Sequence, residues 1–176
     1  MKQFGKWLLI AVGVLILLIA GVSVAGLFLP EAHLASRTLK TKQTPEAIWE
    51  AVTNHAAEPE WRKDLKVVDH LPDRNGHPLW REVYPDGETL TLETVESDAP
   101  RRLVREIADE GGPFSGRWEF AITPDGSGSR LTITEVGRVP NPFFRFMSTY
   151  VIGHATYLEK YLTALAGKFG EQPRIE

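Results

Sequence analysis

The sequence predicts an α+β domain that is attached to one N-terminal membrane helix. Three patterns indicate it: an uncharged apolar run over residues 7–29, short alternating segments over residues 66–139, and a helical periodicity over residues 142–169. Alternating segments separated by turn residues are typical of an antiparallel sheet, whereas apolar residues three or four positions apart are typical of a helix. We therefore expect a curved antiparallel sheet of about six or seven strands wrapped on a long C-terminal helix.

The uncharged run predicts a membrane anchor. At about 1.5 Å per residue it is longer than the roughly 30 Å hydrocarbon core of a bilayer. We expect an anchor over residues 1–30, a folded domain over 31–170 and a short tail over 171–176. A cleaved signal peptide is the alternative, because Ser23-Val24-Ala25 has the form of a cleavage site, although the run continues past it.

The orientation of the anchor rests on a small difference in charge. Lys2 and Lys6 favour a cytoplasmic N-terminus and thus an extracytoplasmic domain, by the positive-inside rule. Arg37, Lys40 and Lys42 follow the run closely and nearly balance them.

The folded domain is predicted to begin with a strand and two short helices. Residues 33–43 alternate roughly as a strand does. Thr44-Pro45-Glu46 then supplies an N-cap hydroxyl, a proline at the first helical position and an acid in the first turn. A second short helix is expected over residues 56–63.

Six further strands are predicted between turn residues. The Asn75-Gly76 pair and the Pro85-Asp86-Gly87 and Pro124–Gly128 segments are strong turn signals. The expected strands are 66–71, 79–84, 88–97, 101–108, 117–123 and 129–139. After them, Pro140-Asn141-Pro142 begins a helix that we expect to run unbroken to about residue 169.

Composition excludes several classes of function. The chain has no cysteine, which rules out disulfides, thiolate metal sites and a cysteine nucleophile. The net charge is −3, which is unsuited to binding nucleic acid. The five histidines show no metal-binding spacing, so we expect no metal and no cofactor. The expected partners are the lipid bilayer and a small hydrophobic ligand, and nothing indicates a protein partner.

The order of elements resembles the START/Bet v 1-like (SRPBCC) superfamily, in particular its polyketide cyclase/dehydrase and lipid-transport proteins. The resemblance covers roughly residues 34–169 and rests on five segments taken together. They are Thr44–Trp49, Pro59-Glu60-Trp61, Trp118-Glu119-Phe120, Ser129–Glu135 and Tyr157–Leu162. It implies a helix-grip fold with a hydrophobic cavity between the sheet and the C-terminal helix. It implies no universal catalytic residue, and the anchor departs from the usual soluble form.

Two titratable residues are candidate catalytic or ligand-orienting groups. Glu135 alternates in phase with Leu131 and Ile133, so its carboxylate is expected to face the cavity, where it would act as a base or bind a hydroxyl. The alternatives are a bulge near Gly137 or a pairing with an internal arginine such as Arg105, although Arg105 is more simply a surface residue. His154 lies on the apolar stripe of the predicted helix and is either a ligand donor or a core histidine.

Five aromatic residues are further candidates for contact with a ligand, with plain packing as the alternative. Trp118 and Phe120 lie on a strand, and Tyr150, Tyr157 and Tyr161 lie on the helical stripe.

The favoured function is membrane-anchored binding of a small apolar or amphipathic molecule, such as a lipid, without catalysis. One alternative is an enzyme of the cyclase/dehydrase or isomerase type that uses Glu135 or His154 as base. It requires both groups to face one compartment. The other alternative is an interaction module whose interior is filled by large side chains.

Overall fold

One antiparallel sheet of seven strands forms the centre of the domain, in a computed structural model that describes residues 2–109 and 111–176. The strands are β1 (Ala32–Thr41), β2 (Val67–Arg74), β3 (His77–Val83), β4 (Thr89–Asp98), β5 (Arg102–Ile107), β6 (Ser115–Asp125) and β7 (Gly128–Arg138). Their order in the sheet is β1-β7-β6-β5-β4-β3-β2. The predicted strands are confirmed, with ends that differ by a few residues.

The turn signals lie where the chain reverses. Asn75 and Gly76 both have positive φ, 54° and 83°, in the hairpin between β2 and β3, as a tight two-residue turn requires. The edge strand β1 is covered by the C-terminal residues: the N–H groups of Thr38 and Lys40 donate to the carbonyls of Glu176 and Arg174. This pairing protects an otherwise open sheet edge, and the sequence pattern did not indicate it.

Short helices follow β1 as predicted. Helix α2 (Pro45–Thr53) begins at Thr44, whose hydroxyl accepts a hydrogen bond from the N–H of Ala47 at 3.3 Å. A single 3-10 turn (His55–Ala57) leads into α3 (Glu58–Trp61). Helix α2 buries Ile48, Ala51 and Val52 against the sheet core.

The C-terminal helical region is broken, whereas the sequence predicted one continuous helix. It consists of α4 (Pro142–Met147), a π-helical turn (Ser148–Ile152) and α5 (Thr156–Lys168). Gly153 separates the last two, with φ 83° and ψ 132°, a backbone conformation that L side chains rarely adopt. Helix α5 is the element that packs on the sheet, through Leu158, Leu162 and Leu165, all fully buried.

The N-terminal helix α1 (Lys2–Leu27) extends away from the domain. Its segment Gln3–Leu27 is long and apolar enough to cross a membrane. The last turns of α1 pack on the domain. Gly26 is buried against the backbone of Pro142 at the start of α4. The contact is so close that a Cβ at Gly26 would overlap the Pro142 carbonyl. The anchor candidate therefore contacts the domain directly.

The buried side chain of Arg145 in α4 stabilises the contact between α1 and α4. The side chain is 7% exposed, and its guanidinium donates to the carbonyls of Gly26 at 3.3 Å, Leu29 at 2.9 Å and Val139 at 3.0 Å. It also pairs with Glu31 at 3.2 Å. A cation that satisfies the last carbonyls of a helix is favoured by both hydrogen bonding and the helix dipole. Burial with this many partners fixes α1 relative to α4.

Candidate functional site

Four side chains meet at the end of the sheet nearest α1, and we call them the histidine cluster: His33, Trp118, Glu135 and His154. Glu135 accepts two hydrogen bonds, from His33 Nε2 at 2.8 Å and from Trp118 Nε1 at 2.9 Å. The ring of His154 stacks on the ring of His33 with centroids 4.0 Å apart. The cluster thus places one carboxylate and two imidazoles in one site.

The register of the sheet brings these residues together. Trp118 on β6 is the cross-strand partner of Glu135 on β7, and His33 on β1 is the partner of Gly137. The imidazole of His33 lies over Gly137 so closely that a Cβ there would overlap it. The absence of a side chain at Gly137 therefore lets the His33 imidazole lie across β7 and contact Glu135.

His154 reaches the cluster from the break in the C-terminal helical region, two residues before α5 begins. Its pKa is lowered from the ordinary value by burial and by the neighbouring His33, and Glu135 opposes this in part. A neutral imidazole is consequently favoured at this position, and it can either donate or accept a hydrogen bond.

The other predicted aromatic residues fall into two groups. Phe120 and Tyr161 are buried in the core next to Trp118, with ring centroids of Tyr161 5.7 Å from both Phe120 and Trp118. Tyr150 and Tyr157 are 66% and 56% exposed, so the prediction of one tyrosine stripe facing the sheet is wrong for these two. The π turn and Gly153 change the helical phase, and residues on the two sides of the break no longer share a face.

Side chains occupy the interior beneath α5, so the predicted hydrophobic cavity between the sheet and the C-terminal helix is not found there among the described residues. Phe120 has no exposed surface, and Tyr161 is 3% exposed, within a cluster that also contains Leu131, Ile133 and Leu158. Two surface depressions on the described part of the chain have volumes of about 220 and 300 Å³. Both lie beside Trp61 and Lys168, on the helical side of the domain and away from the histidine cluster.

A second polar group lies inside the domain, and we call it the buried ion cluster: His55, Glu58, Arg62, Glu82 and Arg105. Glu58 is 1% exposed and accepts hydrogen bonds from His55 Nδ1 at 2.9 Å, Arg62 Nη1 at 2.8 Å and Arg105 Nη2 at 3.0 Å. Arg62 also donates to Glu82 at 2.7 Å. The cluster pairs each buried charge, which is the condition under which buried charges are tolerated.

Burial and neighbouring charge perturb the titration of this cluster. Burial, together with the charge of Arg105, lowers the pKa of His55 from the ordinary 6.5 to about 4, although Glu58 opposes the shift. Burial alone would raise the pKa of Glu58, but Arg105, the hydrogen bond from His55 and Arg62 outweigh it and hold the pKa below its usual range. At neutral pH the cluster therefore contains a neutral histidine and a carboxylate.

Sequence reasoning identified part of these sites. The structure brings Trp118, Glu135 and His154 together, although His154 lies in the break before α5 and not on a continuous helix as predicted. His33 was missed, because it pairs with Glu135 across 102 positions of the chain. Sequence reasoning favoured a surface position for Arg105, whereas the side chain is buried and pairs with Glu58 instead of Glu135. The spacing of Glu58 and Arg62 at i, i+4 was the available signal for the buried ion cluster.

The comparisons with known proteins define the class of the domain. Residues 34–170 match the family described as polyketide cyclase / dehydrase and lipid transport. The chain belongs to this family, within the START/Bet v 1-like superfamily, as its residues and element order predicted. No curated protein matches the sequence significantly.

Solved structures share the helix-grip fold. A START superfamily protein from Mycobacterium smegmatis is 20% identical and superposes with a TM-score of 0.62 over 77% of this chain and 96% of its own. The Zhui aromatase/cyclase from Streptomyces sp. R1128 is 12% identical, with a TM-score of 0.66 over 78% of this chain and 93% of its own. At 20% and 12% identity, these likenesses show the fold alone.

Proposed function

We propose that the protein is a membrane-anchored binding domain for an amphipathic, hydroxyl-bearing molecule, which the histidine cluster orients. The observation that carries this proposal is the convergence of His33, Glu135 and His154 at the end of the sheet where the anchor candidate joins the domain. The family and the fold support ligand binding in general, and the position of the cluster supports a ligand taken from the bilayer.

The hydrogen-bonding state of His33 indicates the polar group of the ligand. A carboxylate at Glu135 accepts only, so the His33 tautomer that suits this bond carries its hydrogen on Nε2 and a lone pair on Nδ1. Nδ1 is buried and has no hydrogen-bond partner among the described residues. A ligand hydroxyl that approaches in the plane of the His33 ring would satisfy this nitrogen, while His154 stacks on the face of the same ring.

The apolar part of the ligand would lie at the same end of the domain. The centre of the sheet–helix interface is filled by Phe120 and Tyr161, so the alkyl portion would extend from the cluster toward α4. Trp118 offers a half-buried ring beside Glu135 for this contact. Burying alkyl surface there contributes about 25 cal/mol per Å².

An enzymatic role is the second candidate, and the same cluster favours it. Glu135 and His154 both contact His33, so a potential base and a potential donor lie in one compartment, as proton abstraction requires. The two roles differ in the fate of the ligand. Mass analysis of the molecule after incubation distinguishes an unchanged ligand from one that has lost water or isomerised.

Native mass spectrometry of the full-length protein in detergent tests the binding proposal. The protein is offered a mixture of long-chain alcohols, monoacylglycerols and matched methyl ethers. We expect the wild type to retain the hydroxyl-bearing compounds. E135Q is expected to retain up to about tenfold less, because glutamine can donate as well as accept and no longer fixes the His33 tautomer that accepts from the ligand hydroxyl, a hydrogen bond that contributes about 0.5–1.5 kcal/mol.

The matched control is E96Q, which removes an exposed carboxylate on β4 that pairs with Arg102. This variant is expected to retain ligand as the wild type does. Recovery of only the free protein from every mixture would contradict the proposal, and equal retention of alcohols and ethers would contradict the role of His33.

A further inference from the structure

The exposed side of α4 and the π turn has the composition of a membrane-contacting surface. We name the interfacial segment as residues 142–152. Its exposed side chains are apolar or aromatic: Phe144 is 47% exposed, Tyr150 66%, Val151 63% and Ile152 44%. Its one charged residue, Arg145, is only 5% exposed, and its guanidinium donates hydrogen bonds to α1 and to Glu31.

The position of the segment is fixed relative to the anchor candidate. Between Gln3 and Leu27, the residues of α1 are exposed with three exceptions. Val22 and Ser23 are half-buried, and Gly26 is buried. These residues lie on one face because they are spaced as i, i+1 and i+4. Gly26 on that face meets α4 at Pro142. The segment therefore lies beside the last turns of α1.

This packing sets a depth in the bilayer. From Trp7 to Gly26 the helix rises about 28 Å, close to the roughly 30 Å thickness of the hydrocarbon core. If α1 crosses the bilayer, its contact with α4 falls at the boundary between acyl chains and headgroups. Tyrosine and phenylalanine side chains on uncharged surfaces are favoured at this boundary.

We infer that the interfacial segment is a second membrane element, which inserts into the leaflet beside the anchor and holds the domain against the lipid surface. The inference rests on the membrane anchoring proposed above. It goes further because a single crossing helix does not by itself bring any surface of the domain into the leaflet. A bilayer is the occupant favoured by continuity with α1, by the absence of exposed charge over the described residues 142–152 and by the aromatic composition.

Insertion of the interfacial segment would also give the ligand a route from the leaflet to the histidine cluster. His154 follows the segment directly, after Gly153, and stacks on His33 of the histidine cluster. A segment immersed in the leaflet would place the break in the C-terminal helical region against lipid. A molecule could then pass from the leaflet to Glu135 without crossing water.

Site-directed spin labelling of the full chain tests the inference, and the absence of native cysteine makes single labels clean. Labels are attached at V151C and Y150C in the interfacial segment, at L17C in α1 and at S127C in the hairpin between β6 and β7. Ser127 is exposed and lies at the end of β7 opposite to Arg138, which pairs with Glu31 after the anchor. It is the aqueous control, and Leu17 is the lipid control.

The protein is reconstituted in phosphatidylcholine vesicles, and accessibility to oxygen is compared with accessibility to a water-soluble nickel chelate. We expect the oxygen-to-chelate ratio at Val151 and Tyr150 to exceed that at Ser127 several-fold and to approach that at Leu17. Chelate access at Val151 equal to that at Ser127, with Leu17 in lipid, would overturn the inference and leave the anchor intact.

Two other results would also overturn it. Chelate access at Leu17 would show that α1 does not cross the bilayer, and the anchoring would fail together with the inference. Spin–spin broadening at Val151 with low access to both reagents would show that a second copy of the chain covers the segment. Thermal unfolding of each labelled variant confirms that the fold is retained.

Discussion

Glu58 and Arg62 lie one helical turn apart and form an ion pair inside the domain, with Glu58 Oε2 accepting from Arg62 Nη1 at 2.8 Å. The same carboxylate accepts from Arg105, which comes from β5 on the far side of the core. One acidic side chain thus links α3 to the sheet by pairing with two guanidinium groups, and Glu82 supplies a second negative charge at Arg62.

Removal of the Glu58 charge is expected to destabilise the fold strongly. E58Q leaves Arg62 and Arg105 with less compensation in a buried site, which costs about 3–5 kcal/mol when one partner of a buried pair is removed. Chemical unfolding in detergent measures the loss. The matched control is E159Q, which removes an exposed pairing with Arg37 and is expected to cost less than about 1 kcal/mol. Equal losses for the two variants would contradict the structural importance of the cluster.

The stability of the domain is expected to fall as the pH falls from about 6.5 to about 4. His55 has its pKa lowered to about 4 in the folded protein, and the unfolded chain takes up a proton near the ordinary 6.5. Between these two pH values the unfolded state therefore binds more protons than the folded state. The free energy of unfolding is expected to be about 3 kcal/mol lower at pH 4 than at pH 6.5 as a result. Glu58, whose pKa is also lowered, adds a loss of the same sign only below the ordinary 4.5.

The variant H55N removes this titration and keeps a donor for Glu58, so it should flatten the pH dependence between about 6.5 and 4.5. The control H70N replaces a histidine whose side chain is 53% exposed, and should leave the slope unchanged. The measurement is the free energy of unfolding at several pH values. An unchanged slope in H55N would show that another group controls it.

A side chain at Gly26 is expected to separate α1 from α4. A Cβ at this position would overlap the carbonyl oxygen of Pro142, so G26A must shift the two helices and is expected to cost about 1–3 kcal/mol. In G13A, by contrast, the new methyl group meets nothing within 4 Å. Faster proteolysis of the junction near Pro30 in G26A, but not in G13A, would support the contact. Identical rates would contradict it.

Gly153 is expected to tolerate no side chain without strain. Its φ of 83° with ψ of 132° is a conformation for glycine, so G153A should cost about 1–3 kcal/mol. G167A lies within α5, where a Cβ meets nothing within 4 Å, and should stabilise the helix by about 0.5–1 kcal/mol. Thermal unfolding of the two variants should therefore shift in opposite directions. A stabilised G153A would show that the helix can run through the break.

The local elements were predictable because their causes are local. Thr44-Pro45 begins α2, and Asn75-Gly76 turns β2 into β3, since capping and turn geometry depend on a few adjacent residues. The break at Gly153 was not predicted, because one glycine within an apolar helical periodicity costs only about 1 kcal/mol and does not by itself end a helix.

The sites were predictable only in part because they depend on contacts between distant segments. The alternation of β7 placed Glu135 on the inner face, but nothing near Glu135 in the chain identifies His33 as its partner. The burial of Arg105 likewise depends on Glu58, which lies 47 positions earlier and on a helix. Long-range pairing of polar groups follows from the tertiary fold, and residue patterns within one segment do not encode it.

Photo-crosslinking in phosphatidylcholine vesicles tests the ligand site most directly. The probe is a long-chain alcohol with a diazirine beside the hydroxyl, and the full chain is digested after irradiation to locate the label. We expect labelling of residues 131–137 and of the segment around His33, and we expect it to be competed by excess unlabelled alcohol and reduced in E135Q. Labelling confined to α1, without saturation or competition, would contradict a ligand site at Glu135.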